Sequence, residues 1–341
     1  MKFDAVVGNP PYQKTKSNGD YLSCYHLFWD LGKNISDRMS LILPARFLNG
    51  AGSLPKNWMD TWETDIHSVS IKKWINSKKV FGKKVDIMGG VCVCFYDKDK
   101  TFEDKGNIIS ELKSILDKVK SKDALEKNLT DICSLQVNFV LLELYKDFPE
   151  LKDNISSEGK ERRMMSNCLS YPCFSDMEEN KIKIFGIINN KRTYKYILSK
   201  YIDFSHESLS QYGVLVPRSN GCKEVGSGVA TPVLGKPFIK SKNEGYTYSF
   251  LCIGRFNTKQ EAENCMKYVK SKFCRVLIGI NKSTQHNKAK TFRFVPLQDF
   301  TENSDIDWSL SISEIDSQLY KKYNLSQEEI DFIEKNIKEM V

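Results

Sequence analysis

The sequence predicts an α/β unit over residues 1–108 followed by an α+β unit over residues 109–341, and three features lead to that reading. A short apolar run rich in β-branched residues, Phe3 to Val7, is halted by Gly8 and two prolines, as a buried strand running into a stiff turn would be. Strand-like and helix-like stretches then alternate as far as about Asp97, the order that builds a parallel sheet from strand–helix–strand units. Beyond that point the alternation is lost, and short apolar clusters lie between polar loops.

Composition bounds the function before any motif does. At 341 residues the chain holds two ordinary domains with cores of their own. It has no 18-residue apolar run, and Met1 leads directly into a strand, so neither a membrane span nor a leader is expected and the chain reads as cytoplasmic. Ten cysteines include no Cys-x-x-Cys pair and several sit in apolar runs, which points to reduced core thiols and to no metal. The net charge of +8 permits a polyanionic partner without requiring one. That charge is clustered: Lys72, Lys73, Lys78, Lys79, Lys83 and Lys84 share one window, and Lys282, Lys288, Lys290 and Arg293 another. Either cluster reads as a solvated face or as a set of phosphate contacts.

Taken in order, Gln13 to Asp20 is polar and reads as a mobile loop. Tyr21 to Ile35 carries a helical stripe of Leu22, Tyr25, Phe28, Trp29 and Leu31, and His26 among them reads as a packed or surface histidine. Met39 to Pro44 is the next strand. Asn49 to Ser53 contains a Gly-x-Gly, but the third glycine of a nucleotide loop is missing and Pro55 interrupts the start of the next helix. Lys56 to Asp65 is a short helix, Ile66 to Trp74 and Gly90 to Tyr96 are strands, and Ile108 to Asn128 is a linker helix. In the second unit, strands are expected at Lys181 to Ile188, Tyr212 to Pro217 and Tyr246 to Gly254. Thr258 caps one or two helices over Lys259 to Ile280, and Ile312 to Tyr323 and Ser326 to Met340 close the chain, the last with a Ser326/Glu329 capping box.

The chemistry concentrates at Asn9, Pro10, Pro11 and Tyr12. In open α/β sheets ligands bind at the carboxyl ends of strands, where this segment falls. Proline nitrogens donate nothing, so a stiff backbone shows its carbonyls outward, and the Asn9 amide oxygen adds a second acceptor. Two convergent acceptors suit an amine with two hydrogens, and Tyr12 offers a face for a planar ring. Asn-Pro and Pro-Pro are also common turn dipeptides, which is the plainer reading.

Residues Phe3-Asp4-Ala5-Val6-Val7-Gly8-Asn9-Pro10-Pro11-Tyr12 resemble the catalytic segment of the adenine-specific, amino-group DNA methyltransferases of restriction-modification systems. The resemblance implies that Asn9 and the Pro10 carbonyl hold the exocyclic amine of a flipped-out adenine, that Tyr12 stacks on the base, and that S-adenosylmethionine is the methyl donor. It extends to Pro44-Ala45-Arg46-Phe47. It also reaches Lys79 to Asp86, where Phe81 matches a residue stacking on the other face of the adenine, although Gly82 stands where proline is usual; the alternative for Phe81 is a strand anchor. Segments around Tyr212 to Pro217, Lys270 to Phe273 and Thr284 to Phe300 resemble the target-recognition portion.

The fold so implied is an incomplete Rossmann-like methyltransferase domain followed by an α+β target-recognition domain. The partner is double-stranded DNA, with Lys72, Lys73, Lys83, Lys84, Lys282, Lys288 and Arg293 as candidate phosphate contacts. A Gly-rich donor loop and the acidic residue ending the next strand have no counterpart here, so an upstream methyltransferase polypeptide is expected to carry them, and the sheet edge beside Phe3 to Val7 is expected to be unpaired or poorly covered. The alternative is a non-catalytic DNA-binding specificity module, or a truncated relic of such an enzyme.

Overall fold

A computed structural model describes residues 2–15, 21–49, 54–82, 84–87, 89–102, 105–106, 108–123, 125–134, 139–155, 167–177, 179, 181–205, 208–221, 224–282 and 286–340. It is a mixed α/β structure with several sheets, divided into two compact units. The first comprises residues 1–116, 223–231 and 279–284, and the second the remainder. No described helix is long and apolar enough to cross a membrane.

The first unit begins with β1 (Val6–Gly8), then a hairpin of β2 (Gln13–Thr15) and β3 (Tyr21–Ser23), then α1 (Tyr25–Ile35) and β4 (Arg38–Pro44). It continues through α2 (Lys56–Thr64), β5 (Ser68–Trp74), the one-turn α3 (Lys78–Phe81) and β6 (Val91–Asp97) to α4 (Ser110–Asp123), whose later residues belong to the second unit. The main sheet has the order β1-β4-β6-β5. Only β1 and β4 pair in parallel, whereas β6 runs antiparallel to both β4 and β5, which corrects the expectation of a parallel sheet. The content of the connections explains the difference. A parallel return needs a crossover of a dozen or more residues, usually a helix, as α1 provides between β1 and β4. Between β5 and β6 the described residues of the connection form one helical turn, α3, and no crossover helix, and β6 enters the sheet reversed.

Helices α1 and α2 cover one face through a cluster of aromatic rings. Trp29 meets Trp62 at 4.9 Å between centroids, and Phe47 meets Trp62 at 5.1 Å and Trp58 at 5.7 Å, all edge-on. Each such pair adds about 0.5–1.5 kcal/mol to the burial of its area. Gly32 lets α1 lie directly on β4, since a Cβ there would stand 2.1 Å from Met39 Sδ. The outer edge is different. Among the described residues strand β1 is paired on one side only, and Val7 and Phe3 are 81% and 52% exposed.

Two further expectations change. Residues 13–15 and 21–23 form a hairpin where the polar composition predicts a loop, so the helix starts at Tyr25, not Tyr21; positions 16–20 lie outside the described residues. The linker helix is shorter than its apolar spacing suggests, running from Ser110 to Asp123. The Gly-x-Gly at 50–52 also lies outside the described residues.

The second unit contains β7 (Cys133–Ser134), α5 (Leu141–Asp147), α6 (Leu151–Asn154), β8 (Phe174–Ser175), β9 (Lys181–Ile188), β10 (Lys191–Leu198), β11 (Tyr212–Pro217), β12 (Phe238–Lys240), β13 (Glu244–Tyr246) and β14 (Phe250–Phe256). These strands form two sheets, β13-β9-β10-β8 and β12-β11-β14-β7. Helices α7 (Lys259–Lys270), α8 (Lys272–Asn281), α9 (Ile312–Lys322) and α10 (Gln327–Asn336) come after them. Capping boxes start three of these helices, at Thr258/Glu261, Ser311/Glu314 and Ser326/Glu329.

Candidate active site

Strands β1, β4 and β5 all point the same way, so their carboxyl ends and the start of β6 share one rim of the first unit's sheet. The parts of that rim fit closely. Ala45 N donates to Gly90 O at 3.0 Å, and Gly90 has a φ of 73° and would, with a Cβ, meet the Trp74 carbonyl oxygen at 2.0 Å. Left-handed backbone and lack of space both select glycine there.

The segment after β1 is braced from below. Cys24, just before α1, donates its backbone N–H to Tyr12 O at 3.1 Å and its thiol to Pro11 O at 3.3 Å. Two of the loop's carbonyls are thereby occupied. The Asn9 side chain is exposed, and neither it nor the Pro10 carbonyl has a partner among the described residues. The loop's free acceptors are therefore an amide oxygen and the adjacent carbonyl, the pair expected to receive an amine.

Tyr12 is half-buried, with its ring edge-on to Tyr25 at 6.5 Å. Its hydroxyl is buried with no hydrogen-bond partner, and burial pushes the phenol up to about 12, with the nearby Cys92 adding to the shift. At neutral pH the ring is thus uncharged and held by packing. Tyr25 likewise has a buried, unpartnered hydroxyl, raised by burial and countered by the Arg46 guanidinium.

In the Pro44 to Phe47 segment, Phe47 is a core anchor and Arg46 is half-buried with no hydrogen-bond or ion-pair partner among the described residues. Phe81 ends α3 on the same rim, half-buried, in a turn pinned by Ser77, whose Oγ donates to Val85 O and accepts from Ile87 N. Strands β1 and β5 are at opposite edges of the four-stranded sheet, about 14 Å apart at ordinary strand spacing. The structure brings Asn9, Pro10 and Tyr12 together and sets Phe81 on a separate turn.

The candidate phosphate contacts divide. Lys72, Lys84, Lys288 and Arg293 are exposed, Arg293 lying over the Phe294 ring at 4.5 Å. Lys83 lies outside the described residues. Two lysines depart from the expectation of an open contact. Lys73 is withdrawn, its side chain 6% exposed and 3.8 Å from Glu224, and Lys282, directly after the apolar α8, is buried and has a partner. Sequence reading missed Cys24 and Tyr25, which brace the loop. Nothing local in the sequence marks them, because their role depends on where α1 packs. No group of three or more metal-ligating side chains is present among the described residues.

The sequence profile of the Eco57I restriction-modification methylases matches residues 1–81. An uncharacterized adenine-specific methylase of Mycoplasma pneumoniae (strain ATCC 29342 / M129 / Subtype 1) is 31% identical over 97 residues. That match covers 27% of this chain and 23% of the relative, so the chain spans about a quarter of the length of the curated relative it matches. Over residues 1–81, then, the chain is similar to the Eco57I restriction-modification methylases, in keeping with the resemblance to adenine-specific DNA methyltransferases carried by Asn9 to Tyr12.

Proposed function

We propose that this chain is the base-gripping, DNA-engaging portion of an adenine-specific DNA methyltransferase, acting with S-adenosylmethionine on the exocyclic amine of an adenine flipped from double-stranded DNA. The observation that carries this reading is the pair of unpartnered acceptors, Asn9 Oδ1 and Pro10 O, at the carboxyl end of β1 beside the braced ring of Tyr12. An amine that is alkylated gains positive charge, and acceptors already fixed at its two hydrogens stabilise that charge more than they stabilise the free amine. A base must leave the stack to reach them, and an aromatic face compensates part of that cost. Phe81 is the candidate for the second face.

The donor is assigned to a further polypeptide. Among the described residues, Asp30 on α1 accepts from Trp58 Nε1, and Asp37, which precedes β4 on the rim away from the loop, pairs with Lys2, so neither carboxylate is offered to a ribose at the loop. The exposed edge of β1, with Val7 and Phe3 beside it, offers the place where an upstream polypeptide could add strands. The test is nucleoside analysis of DNA incubated with the chain, its upstream polypeptide and donor. N6-methyladenine is the expected product, and DNA binding without any transfer would instead indicate a specificity module or a relic.

Lys84 and Lys288 are proposed phosphate contacts because both are exposed. Replacing both by alanine should weaken binding to all duplexes alike and flatten the log–log salt dependence by about 2. An unchanged slope would show them to be merely solvated.

A further inference from the structure

The first unit also holds a cavity of about 450 Å³ against the opposite edge strand, β5. Its walls are the end of β5 and the turn after it on one side, with Ser70, Lys72, Lys73, Trp74 and Lys79, and on the other Ile109, just before α4, and Ser110, its first residue. The shape arises from the chain itself. Strand β5 slips register between Ser70 and Lys72, a bulge that re-aims neighbouring side chains, and Gly106 lies so close to Ser70 that a Cβ would stand 1.7 Å from its carbonyl oxygen.

The cavity's chemistry is that of an anion site. Four lining lysines, 72, 73, 79 and 113, outnumber the carboxylates of Glu111 in the wall and Glu224 behind Lys73. The Lys73–Glu224 separation of 3.8 Å is too long for a direct hydrogen bond, so the buried ammonium keeps donors to give. The first residues of the 14-residue α4, Ser110 and Glu111, line the same space, so the positive end of the helix dipole lies at the cavity. An independent observation comes from Ser70. It is 4% exposed, lines the cavity, and its hydroxyl is buried with no hydrogen-bond partner. Buried hydroxyls are normally satisfied, and this one belongs to a residue of the cavity wall.

We propose that this cavity is a phosphoryl-binding site, in which phosphate oxygens accept from Ser70 Oγ, the Lys73 ammonium and the first-turn N–H groups of α4, while Trp74 and Ile109 form an apolar wall of nucleoside size. The site goes beyond the adenine grip at Asn9 and does not depend on it. The phosphoryl group comes either from a free nucleotide or from the DNA backbone.

The test is calorimetric titration of the full chain with inorganic phosphate and with AMP, each at low and high salt, and then with AMP in the presence of a duplex. AMP is expected to bind, to weaken as salt rises, and to weaken about tenfold in Ser70→Ala, the effect of removing one hydrogen bond to a charged group. Ser70→Ala should unfold no earlier than the parent, because the deleted hydroxyl has no partner in the fold. Lys72→Ala, at an exposed position, should also weaken AMP. Competition by the duplex would identify the backbone as the source, and simultaneous binding would identify a free nucleotide; either supports the site. Absence of AMP and phosphate binding, or AMP affinity unchanged in Ser70→Ala, would overturn it. Loss of methyl transfer with AMP binding intact would count against the methyltransferase reading alone.

Discussion

Asn9→Ala is expected to lower methyl transfer by roughly 10²–10³-fold in the assembly with its upstream polypeptide, while duplex affinity changes by less than about twofold. The asymmetry has a geometric cause. Asn9 is exposed at the rim and has no partner among the described residues, so its removal takes away one of the two acceptors proposed for the amine and no structural contact. Pro10 O alone leaves the amine free to rotate, and orientation of that kind supplies much of a transfer rate. Phe81→Ala tests the second base face in the same assay, with a loss of about 5- to 100-fold if the ring stacks. Transfer by Asn9→Ala within a few-fold of the parent rate would show that the loop is a turn and no more.

Asp316→Ala is expected to cost the second unit about 3–5 kcal/mol, a large share of the stability of any domain. Asp316, on α9, is buried and accepts the first N–H groups of α8, from Lys272 at 2.9 Å and Phe273 at 2.8 Å. It also faces Arg275, fully buried, whose guanidinium donates to the carbonyls of Lys270, Ser271 and Pro232. Removing the carboxylate leaves two helix-end donors without acceptors and a buried cation without its counter-charge. Urea unfolding of the variant measures the loss. A midpoint shifted by less than the equivalent of about 1 kcal/mol would mean that water or other carbonyls replace the carboxylate.

The parts of this structure legible in the sequence are those specified by adjacent residues. A strand at β1, strands β4, β9 and β11, and the caps at Thr258 and Ser326 carry local signals, and Asn9 to Tyr12 is a contiguous motif, although β1 takes in Gly8 and leaves Val7 81% exposed where a buried strand halted by Gly8 is expected. Strand β10 is hidden because Lys191-Arg192-Thr193-Tyr194-Lys195-Tyr196 is largely polar, although it pairs fully with β9. Its signal lies in the preceding Asn189-Asn190, both at positive φ, the two-residue turn that joins twisted strands. Features that depend on distant parts of the chain are not legible. The reversal of β6, the burial of Lys73 and Lys282, and the brace that Cys24 and Tyr25 give to the loop are consequences of packing, and the cavity at Ser70 comes from a strand bulge meeting a helix about 40 residues later.

The most direct test of the central claim, that this chain holds the adenine and another polypeptide holds the donor, is calorimetric titration of the purified chain with S-adenosylmethionine. No saturable binding is expected for the chain alone, and binding is expected to appear when the upstream polypeptide is supplied. Saturable micromolar binding by the chain alone would contradict it.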